Sequence, residues 1–436
     1  MACAASAATV LSRRSALVVT VAIGALLRAV AALDHPSRVS ADQRSYALLA
    51  LHLSENARYG GTGVAGALHW PPGAPALFAL ANLFDPARIS LRHPDVPAAY
   101  VAQVVVGTAT IVVVAAIADA IAGRLAALLA ALLVALYPPL ILSAGELLSE
   151  PLGALLLACA VWAVAAGVRE RREGLLIAGG VLLGLTILTR ADLLLAPLAA
   201  AGVVVALSRA EGRRAAARRG GIVLAAAALT LAPWTLLASL HERTFVPVTT
   251  GGGSNLFVGT YLPGHGTLFG LKHALGPATR AARPVLAHVR ISHIPEQDII
   301  SYVARGHYGR REDAFLRGRG LHDLVHYATQ RPAAYAGMLV AKVGRLWLNY
   351  TRGATLHGSP APLRAAHILL MVLALAGLAL GIRRRRDAAL VLVAALLGLV
   401  TVVNALLVSE ARHLLPLLPL LFAAGAAGAV LHRAGR

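Results

Sequence analysis

Apolar runs of about 18 residues or more recur along this chain, at 15–33, 96–118, 125–142 and 388–408 among others, and each is long enough to cross a hydrocarbon core of roughly 30 Å. One cleaved signal peptide cannot account for runs spread in this way. The balance of residue types agrees, since 58% of the 436 residues are hydrophobic and 14% charged, too apolar and too poor in charge for a soluble protein of this length. The expected fold class is an all-α polytopic membrane domain.

The formal charge of +20, from 40 Lys and Arg against 20 Asp and Glu, is gathered in short clusters between apolar runs. That pattern suits membrane orientation and anionic head groups, and no nucleic-acid partner is expected. Cys3 and Cys159 lie near the amino terminus and inside an apolar run, which argues against a disulfide framework or a Cys-based zinc site.

Basic clusters beside short loops belong in the cytoplasm. Placing Arg13/Arg14, Arg169/Arg171/Arg172, Arg209/Arg213/Arg214/Arg218/Arg219, residues 383–386 and His432/Arg433/Arg436 inside together gives spans near 15–33, 97–118, 124–142, 148–168, 174–189, 192–207, 221–240, 363–382, 388–408 and 413–431. About ten transmembrane helices then leave both termini cytoplasmic. Residues 333–350, with Lys342, Arg345, Trp347 and Tyr350 among apolar neighbours, form an amphipathic helix in the interface, because one more crossing would expose the cluster at 383–386.

This threading divides the chain into an N-terminal transmembrane part, 1–240, with a first extracytoplasmic loop at 34–97. A small extracytoplasmic lobe of mixed structure follows at 241–335, then the interfacial helix and loop at 336–362 and the C-terminal transmembrane helices at 363–436. The run 174–207 is broken by Thr189-Arg190-Ala191-Asp192. Two short crossings meeting at the outer face fit the flanking charges better than one long tilted helix. No internal repeat of the inverted-transporter kind is evident.

Polar residues at the span ends separate by side. Asp42, His69, Glu146, Glu150, Arg190, Asp192, Glu410, Arg412 and His413 all fall at or beyond the outer interface, where an acidic group near lipid ordinarily has a partner or a task. A helix starting at Asp42 places Tyr46 on the same face and leaves Leu48, Leu49 and Leu51 to lie against the membrane. The alternative for Asp42 is a carboxylate that serves the helix start.

His69 opens the string HWPPGAP, which enters an apolar run. Glu146 and Glu150, four apart on one helix face at the mouth of a span, suit a sugar hydroxyl or a cationic group, or simply a helix amino terminus. Arg190 can serve a lipid phosphate or pair with Asp192. Arg412, between Glu410 and His413, can give a phosphate two parallel hydrogen bonds, or belong to a capped turn. The glycines at 251–253 before Asn255 allow close backbone approach to a ligand or a tight turn. The chain has no Walker loop, G-x-S-x-G elbow or H-E-x-x-H motif.

The ordered strings SADQRSYALLALHL, HWPPGAPALFAL, YPPLILSAGELLSEPLGALL, LTRADLLLAPL, APWTLLASLHERTFVPVTTGGGSNLFVGT and SEARHLLPLLPLLF together resemble the GT-C superfamily of membrane glycosyltransferases. The likeness is to the bacterial branch with protein mannosyltransferases and lipid A aminoarabinose transferase, over about residues 15–430.

The resemblance implies a hexosyl- or pentosyltransferase that takes its sugar from a polyprenyl-phosphate donor within the lipid bilayer. It passes that sugar to an extracytoplasmic glycan, lipid or protein acceptor by an inverting displacement. Asp42 inherits the role of general base, with Arg190, Arg412 and His413 as candidates to stabilise the departing phosphate. Tyr46, His69, Glu146, Glu150, Asp192, Asn255 and Glu410 complete the expected substrate-binding set. Some members carry a paired-acid metal motif in the first loop; here Gln43 and Arg44 follow Asp42, so no divalent metal or other cofactor is assigned. Sugar and acceptor stay open, because one scaffold hosts many.

A transporter or lipid-linked-sugar flippase, the rival reading, calls for ionisable residues near the bilayer midplane, whereas here they gather at span ends. The threading makes one direct prediction. A cysteine introduced at position 356 of a cysteine-free chain reacts with a membrane-impermeant maleimide added from outside; reaction only after the cytoplasmic face is opened would overturn it.

Overall fold

The apolar runs are helices. A computed structural model describes residues 2–34, 40–64, 66–91, 94–307, 309–349 and 361–434, with side chains from Ser15 onward. From the amino terminus come α1 (Ala2–Leu33), α2 (Ala41–Asn56), α3 (Gly73–Asn82), α4 (Pro97–Ala122), α5 (Arg124–Leu136), α6 (Pro138–Leu142), α7 (Glu150–Glu170), α8 (Glu173–Thr189), α9 (Ala196–Leu207) and α10 (Arg213–Glu242). Next are α11 (Gly252–Thr260), α12 (Leu268–Ala282), α13 (Glu296–Val303), α14 (Arg310–Gln330) and α15 (Pro332–Leu348), and then α16 (Ala361–Arg384), α17 (Ala388–Leu406) and α18 (Leu418–Ala434).

Among the described residues seven helical stretches are long and apolar enough to cross a bilayer, and α5 with α6, bent by 62°, makes an eighth if the pair is counted as one span. Each of the ten expected spans falls on a helix, but α8 and α9 have only 17 and 12 residues. At about 1.5 Å per residue, α9 alone reaches roughly 18 Å, well short of a hydrocarbon core. α15 is not among the helices that meet the length and composition test. The rest of the expected interfacial segment, 350–360, lies outside the described residues, as do Arg436 and the side chains of Arg13 and Arg14.

α18 is the axis of the bundle. Every residue from Leu418 to Gly428 is buried, which is what a helix apolar on all sides requires. It packs on α16 through glycines: a Cβ added to Gly428 would overlap the Gly377 carbonyl, and one added to Gly377 would overlap that of Gly425. Small residues let two backbones approach within dispersion range where lipid gives no hydrophobic drive to associate.

The bend between α5 and α6 has a covalent cause and a long-range repair. Pro138 and Pro139 lack the N–H groups that would bond the carbonyls of Val134 and Ala135 in a continuous helix. Arg28, buried in α1, supplies the missing donors: its guanidinium bonds Val134 O at 2.9 Å, Ala135 O at 3.5 Å and Gly24 O in its own helix at 3.0 Å. Gly107 makes room, since a Cβ there would press on Arg28 Nε.

The lobe carried by residues 241–335 contains no strand among the described residues. The mixed structure expected there is instead helical, with α11, α12 and α13 and the 21-residue α14 gathered around Phe257, Leu271, Ile294, Ile299, Ile300 and Leu316. Short apolar runs read as strand or loop in isolation, which is why the helices were not legible there. α15 ties the lobe to the bundle: buried Lys342 donates to Gly259 O at 2.8 Å, and Arg345 donates to His265 O at 2.8 Å.

A second correction concerns α2. Leu48, Leu49 and Leu51 face protein, not lipid, and are fully buried; α3 folds back over this helix and shares a core with it in which Leu51 meets Phe78.

Replacing Arg28 with leucine leaves two carbonyls without donors inside the bundle. At about 1–3 kcal/mol for each buried unsatisfied group, Arg28→Leu should lower the thermal unfolding midpoint in detergent by several degrees, and Arg28→Lys by less. Equal midpoints for wild type and Arg28→Leu would refute the repair.

Candidate active site

Three breaks in helical structure converge on one cavity of about 260 Å³ between bundle and lobe. The first is the start of α2, where Ser40 Oγ accepts from Gln43 N at 3.3 Å and caps the helix. Asp42, one position into the first turn, is therefore not needed as the cap and turns its carboxylate to Arg412, Nη1 to Oδ2 at 2.6 Å. Tyr46, one turn on, is buried edge-on to Trp70 at 5.2 Å between ring centroids. Burial raises its phenol above the ordinary value, against a hydrogen bond from the Ser149 side.

The second break separates α8 from α9. Arg190 leaves the helix in extended backbone (φ −144°, ψ 102°), and its guanidinium takes Asp192 in a fork, Nε to Oδ1 at 3.2 Å and Nη2 to Oδ2 at 3.0 Å. Its remaining nitrogen meets Glu150 at 3.1 Å at the start of α7. Gly153 clears the space, because a Cβ there would overlap Arg190 Cδ.

The third break precedes α18. Glu410, in extended backbone (φ −128°, ψ 144°), accepts from Arg412 Nε at 2.6 Å. Burial pushes the Glu410 carboxyl up, but Arg412 and His413 outweigh it and hold it below the ordinary value. His413 Nδ1 lies 2.5 Å from Asn404 Oδ1.

The lobe closes the cavity. Gly251 sits in left-handed backbone (φ +88°) against the His69 ring, where a Cβ would collide. The glycine run thus answers packing against His69 and, at Gly253, against α14, and it leaves Asn255 on the cavity wall. Burial lowers the His69 imidazole, with Asp42 and Asp313 pulling the other way.

Asp42, Tyr46, His69, Glu150, Arg190, Asp192, Asn255, Glu410, Arg412 and His413 all line this cavity, and Glu146 does not. Glu146 is not on a helix face with Glu150 as the spacing suggested. It lies in extended backbone ahead of α7 and borders a separate small space with Glu150 and Arg412. Burial, then repulsion from Glu150, raises its carboxyl to about 7 against the pull of Arg412.

Among the cavity residues that the sequence reading did not single out are Asn404 and Glu296. Asn404 sits in an apolar span, where a polar side chain was itself a signal. Glu296, at the start of α13, gave none beyond an ordinary acidic helix start. Burial and then Glu410 raise its carboxyl to about 7. Among the described residues no group of three or more His, Cys, Asp or Glu is arranged to hold a metal ion.

Residues 76–236 match the family model described as dolichyl-phosphate-mannose-protein mannosyltransferase. No curated protein matches the chain. Among solved structures, the oligosaccharyltransferase AglB from Archaeoglobus fulgidus, in complex with an inhibitory peptide and a dolichol-phosphate, is similar with TM-score 0.56 and 17% identity, over 96% of this chain and 50% of that one. The same enzyme tethered to an acceptor peptide gives 0.53 and 18% identity, over 96% and 49%. ArnT from Cupriavidus metallidurans bound to undecaprenyl phosphate gives 0.42 and 16% identity, over 95% and 77%, a score too low to fix a shared fold. The chain spans about half the length of the AglB structures, and at these identities the likeness is one of fold.

The Arg190 cluster is a buried charge set, so breaking it from the cation side leaves Glu150 and Asp192 facing each other without compensation. Arg190→Leu should cost on the order of 3–5 kcal/mol, read as a lower unfolding midpoint in detergent. The double change Arg190→Leu with Glu150→Leu should recover part of that loss, and a double variant no better than the single one would show that the pairing is not what holds the site.

Proposed function

We propose that this chain, whose residues 76–236 match the mannosyltransferase family model and whose fold is similar to that of AglB, is a membrane glycosyltransferase of the GT-C kind that transfers a sugar from a polyprenyl-phosphate donor to an acceptor at the extracytoplasmic face. The observation that carries the reading is the Asp42–Arg412 pair: a carboxylate and a guanidinium from opposite ends of the chain meet on one cavity wall. Both are required by a displacement that removes a proton at one side and a phosphate at the other.

In that displacement an acceptor hydroxyl attacks the anomeric carbon. The new carbon–oxygen bond forms as the bond to phosphate oxygen breaks, the hydroxyl proton goes to Asp42, and polyprenyl phosphate leaves with the electron pair. One displacement inverts the anomeric centre. Arg412, with His413 beside it, is placed to donate hydrogen bonds to the phosphate, and Arg190, paired with Glu150 and Asp192, is a further guanidinium on the cavity wall. Tyr46, His69, Glu150 and Asn255 remain to hold sugar and acceptor hydroxyls.

The clustering of basic residues beside short loops supports an orientation with both termini in the cytoplasm and this cavity outside. No nucleotide-sugar pool exists there, which favours a donor delivered through the bilayer.

Membranes containing the chain, supplied with radiolabelled polyprenyl-phosphate sugars, should transfer label to an endogenous acceptor. Asp42→Asn at equal protein level should reduce transfer by about a hundredfold or more. Transfer that survives the substitution would remove Asp42 from the base role, and no transfer from any lipid donor would remove the enzyme reading.

A further inference from the structure

The two arginines of the cavity are held in the same way. Each lies at a helix break beside a carboxylate two residues away, Asp192 for Arg190 and Glu410 for Arg412, and each also reaches one carboxylate from a distant helix. Burial separates them. The Arg190 and Glu150 side chains are 7% and 6% exposed, against 19% and 26% for Arg412 and Asp42. An anion entering the cavity can therefore reach Arg412 and cannot insert between Arg190 and Glu150 without opening the base of α7.

We infer that Arg412 is a shared partner, held by Asp42 when no donor is bound and by the donor phosphate when one is, so that donor binding releases the base. This rests on the donor reading above. Arg412 with Asp42 and Glu410 already carries one net negative charge, and a phosphate added to that set is repelled unless a carboxylate withdraws. Glu410 is fixed by its place two residues away on the same segment and by the 2.6 Å bond to Nε. Asp42 stands in the first turn of α2, one turn before Tyr46 at the cavity wall, and a side-chain rotation takes its carboxylate off Nη1 toward the cavity.

The exchange has a chemical use. Asp42 Oδ2 is occupied by Arg412 Nη1, and moving Arg412 to the phosphate frees that oxygen to accept a hydroxyl proton while placing the guanidinium on the leaving group in one event. Asp42 becomes competent to take a hydroxyl proton only when an activated sugar is in place.

The test measures equilibrium binding of radiolabelled undecaprenyl phosphate to the purified full chain in nanodiscs. If Asp42 competes with phosphate for Arg412, Asp42→Asn binds the lipid more tightly, by about fivefold for one partly exposed ion pair, although it is defective in transfer. Arg412→Gln weakens binding, and the gain from Asp42→Asn disappears in the double variant. Asp42→Ser removes the same charge with a different shape and should bind like Asp42→Asn, which guards against a folding defect in either.

Binding by the wild type that is unchanged or weaker in both Asp42 variants overturns the exchange and leaves the donor reading intact. A gain that persists without Arg412 also overturns it, because the competition then lies elsewhere. Absence of binding by wild type and variants alike overturns the donor reading and the exchange with it.

Discussion

Charge at the edge of a hydrocarbon-facing bundle is stabilised by contact with opposite charge, and in this cavity each of two guanidiniums is held between two carboxylates. Arg190 joins the start of α7 to the break between α8 and α9. Arg412 joins the first turn of α2 to the segment before α18. Four carboxylates and two guanidiniums thereby fix the relative positions of elements far apart in the sequence, and a buried ion set of this kind contributes specificity of arrangement more surely than net stability.

The breaks that create those sites obey the rule that backbone groups inside a membrane protein must be satisfied internally. At α5 and α6, Arg28 supplies donors where two prolines have none. At Arg190 and Glu410 the chain leaves helical geometry where the cavity's polar contacts begin, so irregular backbone coincides with the polar wall. Glycines do the complementary work: Gly107, Gly153 and Gly251 each leave space that a neighbouring Arg or His side chain fills.

The helical architecture was legible because apolar runs of membrane length admit few alternatives, and all ten expected spans fall on helices. The charged residues at their outer ends were legible as a group for the same reason, since a carboxylate near lipid needs a partner. The pairings were not. Arg28 reads as an oddity in an apolar run until Pro138 and Pro139, more than a hundred positions away, are set against it. The four-residue spacing of Glu146 and Glu150 suggested one helix face, but Pro151 sets the helix start at Glu150 and leaves Glu146 outside it. The leucines of α2 have the pattern of a lipid-facing surface, and only the return of α3 over them decides otherwise. Glu296 carried no local signal, because what brings it to the cavity is the packing of the lobe.

The same geometry bears on how such a cavity could act. A cation that must stabilise charge developing in a reaction is most effective when already oriented, so that no reorganisation is needed as the charge appears. Arg190 meets this through its buried fork to Asp192 and its contact with Glu150, and Arg412 through the bond from Nε to Glu410. Arg412 differs in keeping a nitrogen on a carboxylate that faces the cavity. An ion pair is the least costly way to keep a charged group ordered at the wet end of an apolar bundle, and one member of such a pair is free to change partners when a stronger anion arrives. Rigidity at Arg190 and exchangeability at Arg412 thus follow from a difference in burial between two clusters built on the same plan.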